Sequence, residues 1–159
     1  GDEFESYLNH KNSDLPVLRE EFVNKMIDVV FREYLDKLIK RVALVSPNTH
    51  VVMHGYGHTI PTGEGVDLLF FTFAGPWMRP ALAKKGIFDP TEQKQLVFNL
   101  IDKYNGMLKA LDDEHDSFHH VDLRSVLNPQ NDWVNELHLK NSAYARSARE
   151  IHSKIQSLL

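Results

Sequence analysis

Phe118-His119-His120-Val121-Asp122-Leu123 is the stretch whose reading decides the fold. It lies between a charged turn, Asp112-Asp113-Glu114-His115-Asp116, and a turn-prone Asn128-Pro129-Gln130-Asn131. A short, mostly apolar run bounded by turn signals reads as a parallel strand. Such a strand is covered by helices on both faces and so has no solvent side to mark with alternating polar residues. His50-Val51-Val52-Met53-His54 has the same character and reads as a first strand of the same kind. Gly55-Tyr56-Gly57-His58 follows at its C-terminal end, where α/β folds place ligand-binding loops.

Helical patterns surround both strands. Between them, Asp89-Pro90-Thr91-Glu92 is a helix start: Asp89 caps, Pro90 takes the first helical position and Glu92 the third. Leu96, Val97, Leu100, Ile101, Tyr104, Met107, Leu108 and Leu111 then share one face. Upstream of the first strand, Leu18, Phe22, Val23, Met26, Ile27, Val30, Tyr34, Leu35, Leu38, Ile39 and Val42 form a wide stripe. Ser13 or Asp14 is the expected N-cap of that helix, and Ser46-Pro47-Asn48 ends it. After the second strand, a helix opens near Asn141-Ser142 and carries Ala143, Ala145, Ala148, Ile151, Ile155 and Leu158. The segment with glycines at 63, 65 and 75 and prolines at 61, 76, 80 and 90 is mixed; within it Val66 to Phe73 reads as either a strand or a buried loop.

This order predicts a single α/β domain over residues 1–159, with right-handed crossovers. Two or three parallel strands among three long helices would leave a sheet edge unpaired. The expectation is therefore the C-terminal part of a doubly wound domain, or a chain completed by another polypeptide. A net charge of −4 gives phosphate-backbone binding no support, so no nucleic-acid partner is expected. The longest apolar run, around Val66-Asp67-Leu68-Leu69-Phe70-Phe71, is too short to span a bilayer. With zero cysteines, disulfides and thiolate metal sites are excluded. No signal-peptide pattern is present in Gly1-Asp2-Glu3-Phe4-Glu5, and the compartment, cytoplasmic or exported, stays open.

Chemistry concentrates in Asp132-Trp133-Val134-Asn135-Glu136-Leu137-His138. A histidine on a loop between a strand and a helix is well placed as a general base, because an imidazole both takes and returns a proton near neutrality. His120-Val121-Asp122-Leu123-Arg124, followed by this loop, resembles the C-terminal block of SGNH/GDSL-type serine hydrolases: a strand with "VDLR", then "DW-x-(D/N)-E-L-H-P-T", then a helix. Val52-Met53-His54-Gly55-Tyr56, Gly75-Pro76-Trp77 and Glu3-Phe4-Glu5-Ser6-Tyr7-Leu8 resemble internal segments of the same family, in collinear order.

The resemblance implies a flavodoxin-like doubly wound parallel sheet (three-layer α/β/α) and ester hydrolase chemistry of carboxylesterase, lipase or acetylesterase type. It implies no cofactor and a small-molecule ester substrate. His138 matches the catalytic base and Asn135 the position of the orienting acid. An amide can accept the Nδ1–H bond but supplies no charge, so Asp132 or Glu136 reaching the ring, or a Ser–His dyad, are the alternatives. Tyr56 and Trp77 are candidate substrate-binding residues. Leu139-Lys140 replaces the family's Pro-Thr, and the sequence contains no Gly-Asp-Ser and no Gly-x-Asn-Asp. The nucleophilic serine is thus expected from a missing N-terminal segment or a partner chain, and these residues alone are expected to be inactive. A non-catalytic binding or structural module on the same scaffold is the alternative function. The spacings His54-x-x-x-His58 and His115-x-x-x-His119, with His120, suit zinc on a helix. Here they fall across strand ends and turns, and no metal site is expected.

Overall fold

The computed structural model describes residues 2–68 and 71–159. In order these form α1 (Asp2–Glu5), α2 (Glu20–Asn24), a π-helical segment (Lys25–Phe31), α3 (Arg32–Val45), β1 (Val51–His54), β2 (Val66–Leu68), β3 (Phe71–Ala74), α4 (Arg79–Lys84), α5 (Pro90–Glu114), β4 (Phe118–Val121) and α6 (Asn141–Gln156).

β1 and β4 pair in parallel, with Val51 opposite Phe118 and His54 opposite Val121. Their side chains divide by strand alternation. Val51, Met53 and Phe118 join the larger apolar cluster, with Met107, Leu108 and Leu111 of α5 and Ile39 of α3. Val52 and Val121 join the smaller one, with Ala143 and Ile151 of α6 and Leu123 and Leu127 of the following loop. Successive strand residues point to opposite faces, so the two clusters lie on opposite sides of the sheet, and helices cover both. The chain is a mixed α/β structure with a small parallel sheet. Among the described residues no helix is long and apolar enough to cross a membrane.

Several expectations meet the structure directly. Asp89 caps α5 by accepting from the Glu92 N–H at 2.8 Å, with Pro90 at the helix start. The first long helix differs from expectation: it begins at Glu20, and neither Ser13 nor Asp14 caps it. Leu8 and Leu18 form an antiparallel bridge, and the Asn9 N–H bonds the Val17 carbonyl at 2.8 Å. These bonds close residues 9–17 into a loop in which the Ser13 hydroxyl turns back to the His10 carbonyl. The apolar stripe is also less buried than its width implies: Val23, Ile27 and Ile39 are buried, while Tyr34 and Leu38 are exposed. The segment Val66 to Phe73 contributes an antiparallel pair, β2 with β3, rather than a further parallel strand; residues 69 and 70 lie outside the described residues.

Because β1 and β4 run the same way, the loops that follow them, from Gly55 and from Asp122, emerge at one end of the sheet. The candidate site is built there.

Candidate active site

The loop bearing His138 is tied across its base. Trp133 and Leu139 form an antiparallel bridge, the Val134 N–H bonds the His138 carbonyl at 2.8 Å, and the Lys140 N–H bonds the Asp132 carbonyl at 2.8 Å. Inside this closed turn, the Asn135 Oδ1 accepts from the backbone N–H of Leu137 at 3.0 Å and of His138 at 2.9 Å. An amide that accepts two backbone N–H groups must present its oxygen to them. Its other end, Nδ2, donates to the Gly65 carbonyl at 3.2 Å, which fixes the same orientation independently.

That orientation settles the histidine tautomer. The His138 Nδ1 lies 2.9 Å from the same Asn135 Oδ1, so Nδ1 carries the proton and donates. Nε2 is then the unprotonated nitrogen of the neutral ring. His138 is exposed, and the Trp77 indole sits beside it, ring centroids 5.6 Å apart and planes inclined at 60°. Gly75 makes that placement possible. Its φ is +78°, in the left-handed region that favours glycine, and a Cβ there would come within 2.7 Å of the Trp77 ring.

Asn135 and His138 are thus brought together, with Trp77 against the ring. Tyr56 is one step removed: it stacks on Trp133, centroids 6.0 Å apart, and its hydroxyl makes a long 3.4 Å contact to the Leu137 carbonyl. Asp132 is engaged elsewhere. Its buried carboxylate accepts from the Asn128 N–H at 2.7 Å and pairs with Arg146 of α6. The Arg146 guanidinium, with the Asn128 N–H, holds this carboxyl below the usual range. Asp132 anchors the base of the loop to α6, and Asn135 is the residue on the ring.

Glu136, the other carboxylate considered for the ring, is also engaged elsewhere, in a role that the sequence did not suggest. It is fully buried, and its carboxylate accepts four backbone N–H groups: Gly63 and Arg79 at 3.0 Å on Oε1, Trp77 and Met78 at 2.6 Å on Oε2. The Thr59 hydroxyl donates to its carbonyl at 2.9 Å. The only local signal was a carboxylate between a turn-forming Asn and a Leu; its donors lie far away in the chain.

Comparison with family models, curated proteins and solved structures gives no match.

The histidine spacings that suit a metal do not converge. His54 faces the Gly55 carbonyl, whereas His58 pairs with Asp102 and stacks on Phe98. His115 pairs with Asp36, and His119 with His50. Among the described residues no group of three or more His, Cys, Asp or Glu side chains is arranged to hold a metal ion. An apolar groove of about 440 Å³, bordered by Phe4, Tyr7, Phe31, Tyr56, Tyr104 and Leu137, adjoins the His138 loop.

Proposed function

We propose that this chain supplies the base-bearing part of an SGNH/GDSL-like ester hydrolase, on what would be the C-terminal part of a flavodoxin-like doubly wound sheet. The observation that carries the proposal is the His138–Asn135 pair: an exposed imidazole whose Nδ1–H is held, leaving Nε2 bare at the end of the sheet where the strand-following loops gather. The serine would come from another segment of the protein or from a partner chain. Nε2 would take the serine proton as Oγ attacks the ester carbonyl, giving a tetrahedral oxyanion and an imidazolium. The imidazolium would return that proton to the departing alkoxide, leaving an acyl-serine. Water would then attack the acyl carbonyl, losing a proton to Nε2, and the imidazolium would pass that proton to the departing serine Oγ as the acid is released. Asn135 would keep the ring in one tautomer through both halves.

The groove lined by Leu137 of this loop and by Tyr56 of the loop after β1 suits an apolar acyl group. The second reading, a non-catalytic module, draws on Asn135 itself. An amide dipole stabilises an imidazolium less than a carboxylate does, and Leu139-Lys140 departs from the family pattern.

The test uses the whole native protein that contains this chain, assayed with p-nitrophenyl acetate and butyrate. His138→Ala is expected to lower kcat about 10²–10⁴-fold. Turnover that is unchanged in that variant rejects the hydrolase reading and leaves the non-catalytic module.

A further inference from the structure

A carboxylate taken out of water is expensive unless its charge is met by donors. Glu136, at 0% exposure, is met by four backbone N–H groups. Charge-assisted bonds of this kind are short and about twice as strong as neutral ones, and two of the four are 2.6 Å. The donors belong to two separate parts of the chain, Gly63 and the run Trp77 to Arg79, and Thr59 adds a third tie to the same residue's carbonyl. None of these segments is adjacent in sequence to the histidine loop. Packing alone would have been served by a leucine, which would leave the four N–H groups buried or part-buried with no acceptor. Glu136 is two residues from His138, and one of the two amides it grips at 2.6 Å belongs to Trp77, whose ring rests against the imidazole.

We propose that Glu136 is the positioning residue of this site: its carboxylate draws the 63 and 77–79 backbone onto the histidine loop and thereby fixes Trp77 against His138. The carboxylate is what holds the two loops together, because both of its oxygens accept twice, whereas a carboxamide or a protonated acid would turn an N–H or O–H toward two of the donors. The inference deepens the hydrolase reading by assigning the wall beside the base, yet its test needs no catalysis.

The test is NMR on the full chain. The wild type is expected to show cross-peaks between the Trp77 indole and His138 imidazole protons, and downfield amide protons for Trp77 and Met78. In Glu136→Gln the side chain keeps one acceptor oxygen and turns an NH₂ toward donors. The downfield shifts should collapse and the Trp77–His138 cross-peaks should vanish, while the signals of Leu108, Leu111 and Phe118 in the main core stay in place. Retained Trp77–His138 cross-peaks in that variant overturn the proposal. Should Glu136→Gln fail to fold, hydrogen exchange on the wild type decides. The amides of Gly63, Trp77, Met78 and Arg79 are expected to open together with that of His138, and independent exchange rates overturn the coupling. A chain that proves to be no hydrolase leaves these outcomes unchanged, so the two proposals fail separately.

Discussion

The molecule contains the same pair of side chains twice, in opposite settings. His138 leans on Asn135 at 2.9 Å through Nδ1 and stands exposed. His120 meets Asn105 at 3.1 Å through Nε2 and is 9% exposed, in the interior between β4 and α5. In the interior pair the asparagine is saturated, its Nδ2 donating to the Tyr56 and Ile101 carbonyls, both at 2.9 Å. Gly55 presses on it: a Cβ there would lie 1.8 Å from the Asn105 Oδ1, so the backbone after β1 passes where no side chain fits. In the surface pair the asparagine bonds only its own loop and Gly65, and one ring nitrogen is left to work. Both asparagines are buried, so the exposure of the histidine decides which pair is a fixed strut and which a candidate base.

The strongest way to break the comparison is at the strut. Asn105→Ala removes the acceptor of a buried imidazole and the donor to two carbonyls, and leaves a cavity. The expected loss is about 3 kcal/mol, combining unmet polar groups with the lost volume. Thermal or urea unfolding of the chain measures it. A loss under about 1 kcal/mol would mean that the interior pair is not a strut.

Acid tests the interior histidine next. Burial, together with the Arg124 and Lys109 charges, holds the His120 imidazole below its ordinary value, against the opposing pull of Asp122 and Asp112. The folded state then binds fewer protons than the unfolded one between the two values. Stability from this group is fully present above about pH 6.5 and is lost as pH falls through the depressed folded-state value. His119, on the other face, is lowered too by burial and by Lys154 and His50, so it adds a slope of the same sign. The carboxyls of Asp36, Asp122 and Asp132 are held low and titrate further down. Unfolding measured from pH 7.5 to 5 is expected to lose stability, with a slope of at most about 1.4 kcal/mol per pH unit for one proton. His120→Gln, an uncharged donor toward Asn105, should flatten part of that slope. A slope identical to wild type in His120→Gln would remove burial as the distinction.

How far each pair was legible in the sequence follows from range. The His138 loop was read as a unit because its hydrogen bonds are local: Asn135 to His138 is a three-residue turn, and residue type with spacing suffices. The strands and α5 were legible for the same reason, the Asp89-Pro90-Thr91-Glu92 start being written in four consecutive residues. What escaped is long-range. The four amides on Glu136 come from 57 to 73 residues away, and nothing around Glu136 announces them. The start of the first long helix was misplaced because the Leu8–Leu18 bridge, a tertiary pairing, absorbed the polar residues that otherwise cap helices. The antiparallel partner of Val66–Leu68 could not be chosen from periodicity, since a short apolar run pairs in either direction.

The smallest expected effect is at the surface pair, and it is the one that bears on chemistry. Asn135→Ala removes the acceptor shared by the Leu137 and His138 amides and by the imidazole. Asn135 is buried at 3% exposure, but the N–H groups it serves are part-buried and the ring is exposed, so water reaches part of what is lost and the stability cost should be about 1–2 kcal/mol. The consequence for the ring is larger than for the fold. Without Oδ1, nothing in the pair distinguishes Nδ1 from Nε2, and the proton is free to move to the nitrogen that a base must keep bare. Imidazole ¹⁵N shifts of His138 at neutral pH should report one tautomer, protonated at Nδ1, in the wild type and a mixture in Asn135→Ala. For His120, tied to Asn105 through the other nitrogen, the wild type should report the opposite tautomer, protonated at Nε2, because the Asn105 Nδ2 is committed to two carbonyls and only Oδ1 remains to face the ring. If His138 keeps a single tautomer after Asn135 is removed, the ring is held by something other than the amide, and the surface pair is an incidental contact.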